Sequence, residues 1–283
     1  AAAQAALGTS QYASMGTAQI AALTGAQAAA LGTDVIASLS TAQVRAFTTD
    51  ALSQLSTAAI AALSTAQAAA LTTAQVAGLT DGVLQALETA DLAAFTTAQI
   101  GALSTGQLDA LSTAQLAAFT ARQVAALSLD QIQGLAPADL AAMTTAQYAA
   151  MTTAQLAALT AEQAAALESA DVAALSTAQL RALTADTLAA LSTSVLAGLT
   201  TTQAAALTAA QVDAIAPENL AAIETRDLAR FGTAQLNALG ADGLAALTTD
   251  QLSNLTTQQV AGIDTTLLSG MAVASLNAFT TAQ

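Results

Sequence analysis

Residues 111–127 read LSTAQLAAFTARQVAAL, and this stretch decides the fold. It contains two units of eight residues, each opening on a large apolar residue, followed by the start of a third. The same spacing runs from Leu7 to Phe279, where every eighth residue is Leu, Met, Ile or Phe and no insertion or deletion breaks the register. We label the eight positions a to h, with the large apolar residue at a. A repeat of this kind points to an array in which each unit stacks on its neighbours.

Positions b and e together form the pattern of a helix N-terminus. Position b is Ser, Thr, Gly or an acid, with Ala136, Ala216 and Ala272 as the exceptions, and position e is most often Gln. In a capping box, the first side chain accepts a hydrogen bond from the backbone N–H three residues later. The side chain of a Glu or Gln at that later position accepts a hydrogen bond from the backbone N–H of the first residue. The spacing therefore predicts that a new helix begins every eight residues.

Prolines and acids occupy the places that a short helix allows. Pro137 and Pro217 both fall at position c, the first helical residue, where a missing N–H is tolerated. All acidic residues except Asp109 and Asp213 lie at b to e, where the helix dipole favours negative charge. The two exceptions, at g, are predicted to mark the outer surface.

Two other architectures fit the octad less well. In one continuous helix, eight residues would rotate position a by about 80° per repeat, so no apolar seam would form. A β-solenoid would need alternation, which is missing, and would place Ala and Gln in strands that they disfavour. We therefore predict an all-α fold, a solenoid of very short capped helices with one helix per eight-residue repeat. The β-solenoid is the alternative.

Packing must stabilise these helices, because a helix of about six residues is unstable alone. Position f and the following a share one face, as in Leu116 and Phe119, and this face is predicted to be buried. Tyr12 and Tyr148, also at f, are predicted to fill the core. Ala at g and h allows helices to approach closely. Two or three octads per coil both fit the sequence.

The composition argues against several classes of function. The net charge of -14 disfavours binding to a nucleic-acid backbone. The chain has no His, no Cys and no Lys, so the commonest general base, the thiolate ligand and the amine nucleophile are all missing. Uncharged stretches such as 187–212 carry Thr, Ser and Gln every few residues, which disfavours membrane insertion. We expect no enzyme, no cofactor and no nucleic-acid partner.

Three acidic pairs are the only candidates for a metal site, each with Glu at b and Asp at e. Two carboxylates could offer oxygen ligands to Ca²⁺. The pairs lie far apart in the sequence and each supplies only two side chains, so an acidic variant of the capping box is favoured. No residue is predicted to be catalytic or to bind a cofactor. The pairs are Glu88 and Asp91, Glu168 and Asp171, and Glu224 and Asp227.

Residues 111–127, together with residues 151–167, MTTAQLAALTAEQAAAL, resemble the octapeptide arrays of large bacterial secreted or cell-surface proteins described as adhesin-like. The resemblance covers nearly the whole chain. It implies an extracellular or bacterial cell-surface location and a passive, extended role. It supplies no catalytic residues.

The sequence as a whole predicts a single uninterrupted octad solenoid over residues 1–283, part of a longer array. The function that follows is structural: a stalk, matrix or self-assembling filament that spaces or joins bacterial cells. Apolar coil ends predict self-association, as a head-to-tail or lateral homopolymer. The alternative is a binding module whose repetitive Ser/Thr surface recognises a glycan, ice or a partner peptide.

Overall fold

A computed structural model of the chain describes residues 7–283, and all regular secondary structure in that range is helical. There are 34 helices in the described range, each of four to seven residues. The prediction of an all-α solenoid with one short helix per octad is confirmed.

The helices fall into two compact units, the first ending at Met143 and the second formed by Thr144–Gln283. Those of the first unit are α1 Thr9–Ala13, α2 Thr17–Ala21, α3 Gly25–Ala28, α4 Thr33–Ser38, α5 Thr41–Ala46, α6 Thr49–Ser53, α7 Thr57–Ala61, α8 Thr65–Ala69, α9 Thr73–Ala77, α10 Asp81–Ala86, α11 Thr89–Ala94, α12 Thr97–Gly101, α13 Thr105–Asp109, α14 Thr113–Ala117, α15 Ala121–Ala125, α16 Leu129–Gly134 and α17 Pro137–Ala141. Those of the second are α18 Thr145–Ala150, α19 Thr153–Ala157, α20 Ala161–Ala165, α21 Ser169–Ala173, α22 Thr177–Ala182, α23 Ala185–Ala189, α24 Thr193–Ala197, α25 Thr201–Ala206, α26 Ala209–Asp213, α27 Pro217–Leu220, α28 Thr225–Leu228, α29 Thr233–Ala238, α30 Gly240–Ala246, α31 Thr249–Ser253, α32 Thr257–Ala261, α33 Thr265–Gly270 and α34 Val273–Leu276. That the whole chain is one domain stays a prediction.

With one exception, the helices begin where the octad predicts. At the start of α5, Ser40 has extended backbone angles (φ -71, ψ 158), and its hydroxyl accepts from the Gln43 backbone N–H at 3.3 Å. The helix stops at position a, where Phe47 returns the chain to ψ 141 and turns it into the next octad. Pro137 and Pro217 occupy the first helical turn, as predicted. Capping therefore sets the eight-residue period.

Three octads complete one coil. In both units, a helix packs against the helix three places further along the chain, as α4 does against α7 and α22 against α25. Each corner of the chain therefore lies over the corner that is three octads earlier. This decides between the two coil sizes that the sequence left open.

The core consists of positions a and f. Of these side chains, Ile132 and Leu140 at f are fully buried, and Leu135 at a is 4% exposed. Positions c and d face outward, and position h of one coil lies close to position c of the coil before it. At Gly78, an added Cβ would overlap the Cγ2 of Thr49, which shows how closely the outer edges of consecutive coils approach. The predicted apolar face is confirmed.

One corner departs from the pattern. Leu239 stays in the helical region (φ -60, ψ -23), and the bend that follows falls on Gly240, whose φ is 65. Only glycine adopts such a φ without strain. Gly232, at the same octad position one repeat earlier, has an ordinary extended φ of -75.

We expect Gly240→Ala to lower the free energy of unfolding by about 1 kcal/mol or more, because Ala is strained at positive φ. Gly232→Ala is the matched control, since its new Cβ would lie 3.7 Å from Gln235 Oε1, in ordinary contact. Urea denaturation followed by far-UV circular dichroism measures both. Equal losses in the two variants would contradict the assignment of strain to Gly240.

Candidate functional site

The Gln at position e does two things at once. Its Oε1 accepts from the backbone N–H at position b of its own octad, as in Gln123, where Oε1 lies 2.7 Å from the Thr120 nitrogen. Its Nε2 donates to backbone carbonyls of the preceding coil, in this case to Leu92 and Phe95, both at 2.7 Å. One amide therefore caps a helix and ties two coils together.

This second bond repeats along both units. The Nε2 donates to the position-a carbonyl of the octad three places earlier, over 2.5–2.9 Å in every described case. Most of these side chains also reach the f carbonyl just before it, as Gln67 reaches Ile36 and Gln251 reaches Leu220. We call these side chains the glutamine ladder. Its members are Gln43, Gln67, Gln75, Gln99, Gln107, Gln115, Gln123, Gln131, Gln179, Gln203, Gln211, Gln235, Gln251, Gln259 and Gln283.

The ladder accounts for the burial of so many amides. Gln123 and Gln211 are each 2% exposed, and burying an amide without hydrogen bonds would cost several kcal/mol. The ladder also supplies a donor to the position-a carbonyl that follows a helix, and a second donor to the f carbonyl, which already accepts from the N–H at position a. The hydrogen bond between amide and carbonyl thus offsets the cost of burying both groups. It can form only when consecutive coils are in register.

Several octads replace the ladder Gln. Thr187 retains part of the function, since its hydroxyl donates to the Leu159 carbonyl at 3.2 Å. Val35, Val83 and Val195 offer no polar group at all. Asp stands at the ladder position four times, at Asp91, Asp139, Asp171 and Asp227, and each is buried.

The structure places the two acids of each predicted pair in different environments. In each pair the Asp is buried and the Glu is exposed. The described residues contain no group of three or more His, Cys, Asp or Glu side chains that could hold a metal ion.

The capping interpretation of the pairs is half right. Asp171 Oδ2 accepts from the Glu168 backbone N–H at 3.3 Å, which is the return half of a capping box. The Glu168 side chain makes no capping bond, and neither does Glu88 or Glu224. Glutamate is one methylene longer than the aspartate that caps well, and it turns outward instead. In the third pair, Arg226 Nε contacts Glu224 Oε2 at 2.7 Å and lies 3.8 Å from Asp227 Oδ1.

Burial changes the ionisation of the ladder acids. Desolvation raises the pKa of Asp91, Asp139 and Asp171 above the usual range for aspartate. The N-cap backbone N–H lowers each pKa in part. A neighbouring carboxylate raises it further, from Glu88, Asp109 and Glu168 respectively. A buried carboxyl of this kind binds a proton more readily than an exposed one.

The tyrosines and the two outlying acids lie where the sequence places them. Tyr12 is 3% exposed and Tyr148 1%, and both fill the core. Burial raises the pKa of the Tyr148 phenol, and the carboxylates of Asp171 and Glu168 raise it further. Asp109 and Asp213 are exposed on the outer surface.

The surface hydroxyls divide into two sets. Most of those at b are engaged in caps, with Thr80 as an exception; Ser40, for example, accepts from Gln43 N and donates to Gln43 Oε1 at 3.0 Å. Those at c, such as Thr41 and Thr65, begin the helices and point outward. The chemistry open to a ligand on these walls is therefore chiefly that of the c position.

Over residues 7–283, no helix combines the length and the apolar character that crossing a membrane requires.

A family model described as the ALTTAQ repeat matches residues 5–33, 50–81, 84–121, 105–137, 132–167, 164–194 and 220–257, which together make up well over half of the chain. A search of curated proteins found no match.

Proposed function

Since the chain belongs to the ALTTAQ repeat family, we propose that it is a structural repeat protein with no catalytic activity of its own. It acts as an extracellular stalk, matrix or filament segment that spaces or joins bacterial cells. The observation that carries this proposal is the glutamine ladder. Its buried amides form hydrogen bonds between consecutive coils. This polar network therefore stabilises an extended stack of coils.

The two ends of the described range support self-association. At the first coil, Gln11 and Gln19 cap their own helices through Oε1. Their side chains are exposed, and within residues 7–283 their Nε2 groups have no carbonyl to bond. At the other end, Leu276 is at the core position f, yet it is 39% exposed.

These ends are complementary. The first offers amide donors in the ladder register, and the last offers position-a carbonyls together with apolar surface. A second copy stacked head to tail would form a junction with the same bonds as an internal coil, an open heterologous contact that can propagate. In a longer chain, the same groups would receive the next coil.

Light scattering over a concentration series tests the stacking, using the full chain of 283 residues. We expect the mean mass to rise with concentration. The double variant Gln11→Glu and Gln19→Glu should reduce this rise, because it replaces both donors by charged acceptors while leaving the caps an oxygen. Gln258→Glu, at an exposed position, is the control for added charge. A chain that stays monomeric at every concentration would contradict self-stacking.

Location is tested separately. Immunogold labelling of cells that produce the protein should place it outside the cell envelope. Label confined to the cell interior would overturn the stalk or matrix proposal, whatever the light scattering shows.

The alternative function, a binding module, would use chiefly the c-position threonines, because most b hydroxyls are engaged in caps. A glycan array probed with the chain tests it. Selective binding that is lost when exposed threonines such as Thr41 and Thr65 are changed to Ala would favour recognition over a passive role.

A further inference from the structure

Asp91 interrupts a continuous column of the glutamine ladder. Residues 43, 67, 91 and 115 occupy the same corner of four consecutive coils, with three octads between one and the next, and three of the four are Gln. Gln67 donates to the Leu39 carbonyl at 2.7 Å, and Gln115 donates to the Leu87 carbonyl at 2.9 Å. The coil between them has a carboxyl group where its neighbours have an amide.

The surroundings of Asp91 hold acceptors but lack a donor for its outer oxygen. The residue is 3% exposed, and its Oδ2 is buried without a hydrogen-bond partner among the described residues. A glutamine at this position of the ladder would face the carbonyls of Ile60 and Leu63, which are the f and a positions of the preceding coil. Asp91 therefore faces the same two carbonyls. No donor from residues 7–283 reaches the Leu63 carbonyl oxygen. An ionised carboxylate here places negative oxygen against oxygen in a dry environment.

Charged neighbours add to this conflict. Glu88, at the start of the same helix, contributes a second negative charge. The helices packed against α11 are chiefly α8 and α14, and neither carries a charged side chain. No cation therefore compensates Asp91 from the adjoining helices.

We propose that Asp91 is a proton-binding site of the folded chain. The protonated carboxyl group completes the ladder by donating through Oδ2 toward the Leu63 carbonyl oxygen. A proton suffices where a metal ion does not, because one carboxyl group and two carbonyls fall short of the six to eight oxygens that Ca²⁺ takes. Lowering the pH then stabilises the packing of the coil that contains Asp91 against the preceding coil.

The direction of the pKa agrees with this geometry. Desolvation raises the pKa of Asp91, and Glu88 raises it further, against a partial opposite effect of the N-cap N–H. A group whose pKa is higher in the folded chain than in the unfolded chain binds more protons when folded. Its stabilising contribution is complete below the unfolded pKa and is lost as the pH rises through the folded pKa.

Carboxyl-carbon NMR tests the proposal directly on the full chain. We expect the Asp91 resonance, assigned by its loss in Asp91→Asn, to titrate at a higher pH than aspartate in the urea-unfolded chain. A midpoint equal to or below the unfolded value overturns the proposal.

Amide hydrogen exchange supplies a second measurement that does not depend on assignment of the carboxyl carbon. Asp91→Gln restores the ladder donor, and Asp91→Asn is a near-isosteric side chain that cannot ionise. In wild type, protection around residues 88–92 should increase severalfold from neutral to mildly acidic pH, relative to the same residues in both variants. An unchanged pH dependence in the variants contradicts the proposal.

A calcium titration separates the proton from a cation. At neutral pH, the addition of Ca²⁺ should leave the exchange of residues 88–92 unchanged in wild type. If Ca²⁺ protects wild type but not Asp91→Asn, the site binds a metal ion and the proton assignment is wrong.

Discussion

Replacing Ile132 by Ala is expected to lower the free energy of unfolding by about 2–5 kcal/mol, the range found when a large aliphatic side chain is removed from a packed core. Ile132 lies at position f of α16 and is fully buried. Helices of this length have no stability of their own, so the loss of core contacts also weakens the packing of α16 against α13. Urea denaturation followed by far-UV circular dichroism measures the change.

The same helix provides the control. Leu129, three residues earlier at position c, is 45% exposed, and Leu129→Ala should change the stability by less than about 0.5 kcal/mol, as for most surface substitutions. Both variants gain the helix propensity of Ala, so the difference between them isolates burial. If the two variants lose equal stability, the octad positions have been assigned to the wrong faces.

Local physics explains why so much of this fold could be predicted. Each helix start depends on residues three apart, such as Ser40 and Gln43, and each apolar face on residues three apart, such as Leu116 and Phe119. Such short-range relations are visible in the sequence itself. The same argument correctly placed Pro137, Tyr148 and Asp109.

The number of octads per coil could not be predicted in this way, because the bonds that fix it join residues in different coils, as Gln67 joins Ile36 and Leu39. Capping alone fits two or three octads equally well. The a and f side chains give no further information, since the same few apolar residues, chiefly Leu, recur at these positions and distinguish no particular partner.

One feature of the sequence does point to the ladder. A capping box accepts Glu as readily as Gln, yet no octad has Glu at position e, whereas Glu occurs at b in Glu88 and at d in Glu162. The side-chain oxygen that capping requires is therefore not enough to explain the choice of Gln at position e. The preference for Gln over Glu indicates that the amide N–H groups donate to an acceptor. Within its own coil the helix ends offer no carbonyl for this bond, so the acceptor is a backbone carbonyl of another coil.

The acids at position e show the limit of that reasoning. Asp91 and Asp171 keep an oxygen for the cap but have no hydrogen to donate when ionised. From the sequence they look like ordinary first-turn acids that the helix dipole stabilises. Their burial, and with it the raised pKa of each, follows only from the coil packed beneath them.

The ladder itself predicts that Gln259→Leu lowers the free energy of unfolding by on the order of 3 kcal/mol, since buried groups left without a hydrogen bond cost about 1–3 kcal/mol each. Gln259 accepts from Thr256 N at 2.7 Å and donates to the carbonyls of Leu228 and Phe231 at 3.0 and 2.8 Å. Leu preserves most of the volume and removes all three bonds. Urea denaturation, together with hydrogen exchange around Phe231, measures the loss in both coils.

Gln258, the preceding residue of α32, is exposed, so Gln258→Leu is the matched control and should change the stability by less than about 0.5 kcal/mol. Gln259→Glu bears on the bond between coils, because it keeps the capping oxygen but, when ionised, replaces the amide donor by a buried negative charge. We expect it to destabilise at neutral pH and to recover in part as acid protonates the new carboxyl group, which then donates across the coils. If Gln259→Glu is as stable as wild type at neutral pH, the bond between coils contributes nothing and capping alone explains the glutamines.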